Sequence, residues 1–218
     1  MPTLSPTPHP IPGHDWSSYY QAVQGRPPRD TLLMALARFE QDQNTPCNRF
    51  AVDLGCGDGR DTVELVRRGW RVLAIDAAAE AIERLSHRPD IDQTQLQTRV
   101  DRFETLSLPV ASFDLINASF CLQFCPPPAF PAFWQQIVTA LRPGGRFCGQ
   151  LIGNRDSWTM YAHMNHHSRE QVEALLTPFI VESLIEEDHP GKTALGVEKH
   201  WHIFHIVARK TTATAEPS

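Results

Sequence analysis

The sequence predicts an α/β fold: a doubly wound sheet, mostly parallel, of about seven strands with an antiparallel final strand. Three observations carry this prediction. Short apolar runs rich in β-branched residues alternate with stretches of helical spacing along most of the chain. The runs are apolar throughout rather than at every second position, which is the pattern of strands covered on both faces. The last two runs follow one another with no helical crossover between them, so they pair antiparallel.

The elements follow in order. Leu32, Leu36 and Phe39 share a helical face. "RFAVDL" (49–54) and "RVLAID" (71–76) read as strands, and Leu96 to Val100 as a weaker one. "FDLINA" (113–118) and "GRFCGQLI" (145–152) are two more. Between them, Ala81, Ile82 and Leu85 mark one helix, and Phe130, Phe133, Trp134, Ile137 and Leu141 another. Pro143, Gly144 and Gly145 in "LRPGGR" are turn residues between that helix and the next strand. Ser168 and Gln171 form a capping box that starts a helix through Val172, Leu175 and Leu176. Strands over 178–186 and 200–209 close the fold, joined by "DHPGKTALG" as a loop.

Composition bounds the function. The chain has 218 residues, a net charge of -5 and 41% hydrophobic residues, which suits one soluble domain over 15–210. Residues 1–14, with prolines at 2, 6, 8, 10 and 12, read as a disordered extended tail, and 211–218 as a frayed end. The tail lacks a basic n-region and an apolar h-region, so it is not a signal peptide. The uncharged run 115–141 is broken by Pro126, Pro127, Pro128 and Pro131 and does not span a membrane. No basic stripe speaks for a nucleic acid. The five cysteines are an odd number, which suits free thiols and a cytoplasmic location. Cys121 and Cys125 lack a second pair, and His200 and His202 lack a third ligand, so no metal is expected.

"AVDLGCGDGRDT" (51–62) gives up side chains at Gly55, Gly57 and Gly59, directly after a strand. Glycines there allow a tight turn and let a ligand reach the backbone. Asp76 ends the next strand, 21 residues beyond Gly55, where a carboxylate accepts from two ribose hydroxyls. The spacing is Gly-x-Gly-x-Gly rather than that of a dinucleotide site. Asp53, Asp58 and Asp61 also disfavour a pyrophosphate and favour a cationic ligand.

"VDLGCGDGRDT", "AIDAAAEAI", "FDLINAS" and "LRPGGRF" together resemble the ordered motifs of the class I S-adenosylmethionine-dependent methyltransferases, over about residues 29 to 155. That family has a Rossmann-like fold, and the ligand implied is a sulfonium bearing adenosine. "DGRDTVELVRRGWRVLAID", "GNRDSW" and "KHWHIFHIVARK" resemble most the tellurite-resistance-type small-molecule methyltransferases. The resemblance implies that Gly55, Cys56, Gly57 and Gly59 underlie the methionine part, that Asp53 orients the loop, and that Asp76 holds the ribose. It implies Ala77, Asp101, Arg102 and Phe103 around the adenine. It further implies that Asn117, Ala118 and Ser119 form the floor and that Trp16, Tyr20 and Arg60 close the methionine end. Packing is the other reading of Trp16 and Tyr20.

The connections after the fourth and fifth strands are free to build an acceptor pocket. Phe120, Gln123, Trp158, Tyr161 and His163 are its expected residues, and His166 or His167 the expected base where an acceptor must lose a proton. The expected function is methyl transfer to a small-molecule acceptor by in-line displacement. An NAD-dependent oxidoreductase of similar fold and a non-catalytic S-adenosylmethionine-binding protein are the alternatives. Neither a nucleic acid nor a membrane is an expected partner, and the oligomeric state is left open.

Overall fold

The computed structural model describes residues 16–42 and 48–212. The expectations for residues 1–14 and for the last six residues lie outside that range. Thr211 is held, its N–H bonded to the Pro178 carbonyl at 3.1 Å.

The centre of the sheet is β1 (Phe50–Leu54) beside β4 (Phe113–Ala118), and β4 is buried at every position. Continuous burial explains why both strands read as unbroken apolar runs. Around them lie β2 (Arg71–Asp76), β3 (Leu96–Val100), β5 (Leu141–Ile152), β6 (Phe179–Lys192) and β7 (Glu198–Lys210), in the spatial order β3-β2-β1-β4-β5-β7-β6. The first five are parallel, and β7 runs antiparallel to both β5 and β6. The weak signal of β3 has a simple cause: it is an edge strand, exposed at four of five positions.

Six helices cover the sheet and one of its ends: α1 (Trp16–Val23), α2 (Asp30–Gln41), α3 (Arg60–Arg67), α4 (Ala79–Ser86), α5 (Phe130–Ala140) and α6 (Arg169–Leu175). Successive strand residues face opposite layers. Ala51, Leu115 and Val207 pack with Leu36, Leu65 and Leu85 of α2, α3 and α4. Val52, Ile116 and Phe204 pack with Phe133, Ile137 and Val172 of α5 and α6. The capping box read from Ser168 and Gln171 is present. Among the described residues no helix is long and apolar enough to cross a membrane.

Two boundaries differ from expectation. β5 starts at Leu141, directly after α5, rather than at Gly145. The final strands run on to Lys192 and resume at Glu198, so most of the expected loop is a long hairpin arm. Pro190 reads as a strand breaker, yet β6 is an edge strand, where a residue without an N–H is tolerated.

Arg146 of β5 joins three elements. Its buried guanidinium contacts Glu182 at 2.8 and 2.9 Å and Asp42, beyond α2, at 2.6 Å. It also lies 4.4 Å above the Phe39 ring. Removing one partner of a buried ion pair leaves uncompensated charge and costs about 3–5 kcal/mol. Arg146→Met is therefore expected to lower the thermal midpoint by roughly 6–20 °C in a scanning melt. A loss of a degree or less would show that the network does not hold these elements together.

Candidate functional site

The glycine loop leaves β1 with Gly55 and Gly57 in the left-handed region, at φ 62° and 55°. A Cβ on Gly55 would lie 2.4 Å from the Cβ of Cys121, and one on Gly57 3.3 Å from the Tyr20 ring. The loop is thus pressed by protein side chains from β4's connection and from α1. The Cys56 N–H bonds the Ile75 carbonyl at 3.0 Å.

Asp76 closes the loop from the end of β2. Its two carboxylate oxygens accept the N–H groups of Gly57 at 2.9 Å and Ala78 at 2.8 Å. Burial raises its proton affinity above the usual carboxylate range, although those amides act against the rise. A carboxylate has about four lone-pair sites, so two remain for hydroxyl donors.

Beneath the loop, Asn117 donates its side-chain N–H groups to Asp53 at 2.8 Å and to Asp61 at 3.0 Å. Thr62 donates to Asp53 at 2.5 Å, and Ser119 to Asp61 at 2.6 Å. The Arg29 main-chain N–H also reaches Asp61, at 2.9 Å. Burial, then the neighbouring charge of Asp61, pushes the Asp53 carboxyl up to about 7.

Two cavities open at this end of the sheet. The smaller, about 160 Å³, is lined by Gly55, Gly57, Asp76, Ala77, Phe103, Ser119 and Cys121 under Trp16, Tyr20 and Phe124. The larger, about 400 Å³, has walls of Trp16, Tyr19, Phe120, Phe124, Trp158, Tyr161 and Trp201. Arg26, Arg29 and Gln123 line it too, as do Glu187, His189 and Lys192 of the hairpin arm. Trp16, Tyr19, Phe120 and Phe124 belong to both cavities.

Under the larger cavity lies a buried ion pair. Lys199 sits between Trp158 and Trp201, 3.5 and 3.7 Å from their ring centres, with its ammonium 2.6 Å from Asp156. Asp156 in turn accepts the main-chain N–H groups of Trp158 and His202, at 2.9 and 3.1 Å. One carboxylate thereby positions both tryptophans.

Of the expected cofactor residues, Trp16, Tyr20, Gly55, Gly57, Asp76, Ala77, Phe103 and Ser119 share the smaller cavity. The others line neither cavity. Asp53 and Asn117 are buried below the loop in the network just described. Cys56 is turned under the loop, and Ala118 is fully buried beneath Gly149. Gly59 faces Leu85. Arg60 gives its Nε–H to the Pro27 carbonyl at 2.5 Å. Asp101 is used up by its own turn, accepting from Thr105 and the Arg102 N–H and pairing with Arg99. Arg102 pairs with Glu104.

Phe120, Gln123, Trp158 and Tyr161 line the larger cavity, but His163 does not. His166 and His167 line neither cavity, which corrects the expectation of a base there. A bridge between Gly153 and His167 folds that connection back, and the His167 ring packs 4.7 Å from Phe130. Burial, then the nearby His166, pulls the His167 imidazole down to about 4, so it is neutral at ordinary pH. Sequence reasoning missed Arg26, Arg29, Tyr19, Trp201 and the arm residues. The last were hidden because Pro190 and Gly191 read as loop residues.

A strand-loop-helix turn with an acid ending the second strand is the arrangement in which open α/β sheets commonly bind nucleosides. Residues 51–145 match the family described as methyltransferase domain. The chain is 34% identical over 109 residues to trans-aconitate 2-methyltransferase of Azoarcus sp. (strain BH72), covering 48% of this chain and 40% of that protein. It is 30% identical over 102 residues to ubiquinone biosynthesis O-methyltransferase of Xanthomonas axonopodis pv. citri, covering 46% and 42%. The matches thus span about two fifths of the length of these relatives. TehB from Haemophilus influenzae shares the fold with a TM-score of 0.67 at 13% identity, over 82% of this chain and 62% of its own. So does 1,6-didemethyltoxoflavin-N1-methyltransferase of Burkholderia thailandensis, with bound S-adenosylhomocysteine, with a TM-score of 0.62 at 20% identity over 89% and 84%. Residues 51–145 are thus similar to methyltransferase domains, and the chain shares the fold of solved methyltransferases.

The Asp53 carboxyl carries a pH signature. Its folded-state proton affinity is raised, so the native state holds the proton longer than the unfolded chain does. Its contribution to stability is full below about pH 4, the unfolded value, and is lost as pH rises through about 7. Asp53→Asn is expected to flatten stability across that window in urea titrations at stepped pH. A variant that keeps the wild-type slope would assign the slope to other groups.

Proposed function

We propose that this chain transfers a methyl group from S-adenosylmethionine to a small-molecule acceptor by in-line displacement. The observation that supports this best is the pair of cavities at the carboxyl end of the sheet, which share four aromatic residues. The smaller offers what an adenosine with an amino-acid chain requires. Asp76 has lone pairs free for the ribose hydroxyls, Phe103 offers a face to the purine, and Gly55 and Gly57 bring backbone close. Bound there, S-adenosylmethionine supplies a methyl on a positively charged sulfur, an electrophile that needs no further activation.

The residues of the chain then position and exclude. An acceptor atom must lie about 3 Å from the methyl and in line with the leaving sulfur. Phe120 and Phe124 fix that line from both cavities, while Trp16 and Tyr19 close it against water. Where the acceptor carries a proton, Glu187 and His189, 3.4 Å apart on the wall of the larger cavity, are the groups that take it.

The acceptor is small, because the described residues are spent on sheet and covering helices and the larger cavity holds about 400 Å³. We place no nucleic acid or membrane among the partners. A cytoplasmic location agrees with the free thiols of Cys56, Cys121, Cys125 and Cys148. The trans-aconitate and ubiquinone-pathway enzymes among the relatives make a small organic acceptor the natural first panel.

Hydrogen bonds to a charged group contribute about 1.5–3 kcal/mol each. Asp76→Ala is therefore expected to weaken S-adenosylhomocysteine binding at least about tenfold by calorimetry. An acceptor screen that reads S-adenosylhomocysteine as product is expected to find turnover with the wild type. Unchanged affinity in the variant would remove Asp76 from the site. Binding without turnover on any acceptor would favour a non-catalytic cofactor-binding protein.

A further inference from the structure

The larger cavity holds more positive charge than its surroundings balance. Of its charged residues, Glu187 faces His189 at 3.4 Å and His205 at 3.5 Å, and Lys192 faces Glu198 at 3.7 Å. Arg26 and Arg29 also line it, and neither guanidinium has a carboxylate partner among the described residues. Arg29 touches Asp61 only through its main-chain N–H. Its guanidinium carbon lies over the Phe120 ring, 4.4 Å from the centre. Stacking of this kind occupies the face of the group and leaves its N–H edge open for a bidentate oxyanion.

A third arginine makes the imbalance sharper. Arg60 gives its Nε–H to the Pro27 carbonyl, and its Nη1 is buried with no partner. Burial, then the charges of Arg29 and Arg26, lowers its proton affinity. Arg60 lines neither cavity, but its charge lies close enough to Arg29 and Arg26 to be felt by both.

We infer that the acceptor is a small planar molecule bearing an oxyanion, a carboxylate or a phosphate, which Arg26 and Arg29 bind while the aromatic walls hold its planar part. The inference rests on the methyl-transfer reading above and names the acceptor class for that same site. The planar part follows from the walls: Trp16, Phe124, Trp158 and Trp201 present ring surfaces to one space of about 400 Å³. The oxyanion is the acceptor's rather than the cofactor's own carboxylate, because Arg26 and Arg29 line the larger cavity and not the one that holds Asp76.

The test uses the full chain in calorimetry, with and without saturating S-adenosylhomocysteine. The probes are benzoate, cinnamate and phenyl phosphate, set against benzamide and cinnamamide. The acids are expected to bind at least about tenfold tighter than their amides. Arg29→Met and Arg26→Met are each expected to weaken acid binding about tenfold and to leave S-adenosylhomocysteine affinity unchanged. The ratio of phenyl phosphate to benzoate affinity then identifies the oxyanion. Amides binding as tightly as acids, or none of the probes binding, would overturn the inference. So would arginine variants that weaken S-adenosylhomocysteine and spare the acids, which would give both arginines to the cofactor. Acids that bind to a wild type unable to take up S-adenosylhomocysteine would sink the methyl-transfer reading and leave the anion site standing.

Discussion

One buried amide carries the site. Asn117 spends both side-chain N–H bonds on two carboxylates, Asp53 and Asp61, at the ends of β1 and of the loop that follows it. Such a pair repels itself in a medium of low dielectric, and neither acid has a cation beside it in that network. What makes it tolerable is hydrogen bonding from every side: the amide, the hydroxyls of Thr62 and Ser119, and the Arg29 main chain. The donors come from three pieces of chain, so satisfying the acids ties β1, the end of β4, the start of α3 and the start of α2 together. The residual cost is the raised proton affinity of Asp53. Asp76 works above this layer in the same way, taking the loop's own N–H groups before it offers the remaining lone pairs to a ligand.

The larger cavity rests on a different device. Lys199 is buried with Asp156, and a lone buried pair of this kind adds little net stability. Its value is geometric. The ammonium lies between the rings of Trp158 and Trp201, which come from different segments, and Asp156 holds the backbone of Trp158 as well. Cross-strand pairs then stiffen the arm that carries Trp201: His200 with Asp188, and His202 with Glu186. These two histidines, spaced as metal ligands are, work as partners for the acids of β6.

What the sequence made legible follows from what kind of force acts at each place. The seven strands and most helices were readable because burial imposes a period, and Ala51 against Val52 or Leu32 against Leu36 obey it. The place of Asp76 beside the glycine loop was readable because it ends the neighbouring strand, where only one acid stands. Asp101 was not, because turn chemistry decides whether an acid faces a ligand or its own backbone, and Thr105 and Arg102 claim this one. The histidines after β5 misled for a related reason: nothing in "HMNHH" shows that a single bridge at His167 turns the segment back on the core. The arm failed on one residue, Pro190, whose usual meaning reverses on an edge strand. Arg29 was invisible because its role depends on Phe120, 91 positions further along the chain.

Phe120 is where these separate arrangements meet. It is a bulky residue at φ 52°, a conformation that costs on the order of 1 kcal/mol or more and persists only where neighbours enforce it. Its neighbours do so. Gln150 accepts its N–H at 3.1 Å, Gln123 donates to its carbonyl at 2.7 Å, and Arg29 covers its ring. Gln150 also reaches Thr31 of α2 at 3.0 Å, so the strained residue is tied to β5 and to α2 at once. The strain turns one aromatic ring into a wall shared by both cavities. With Trp16, Tyr19 and Phe124, that ring borders the passage between the two cavities. The buried acids below set the height of the loop, and Phe120 sets the distance across it.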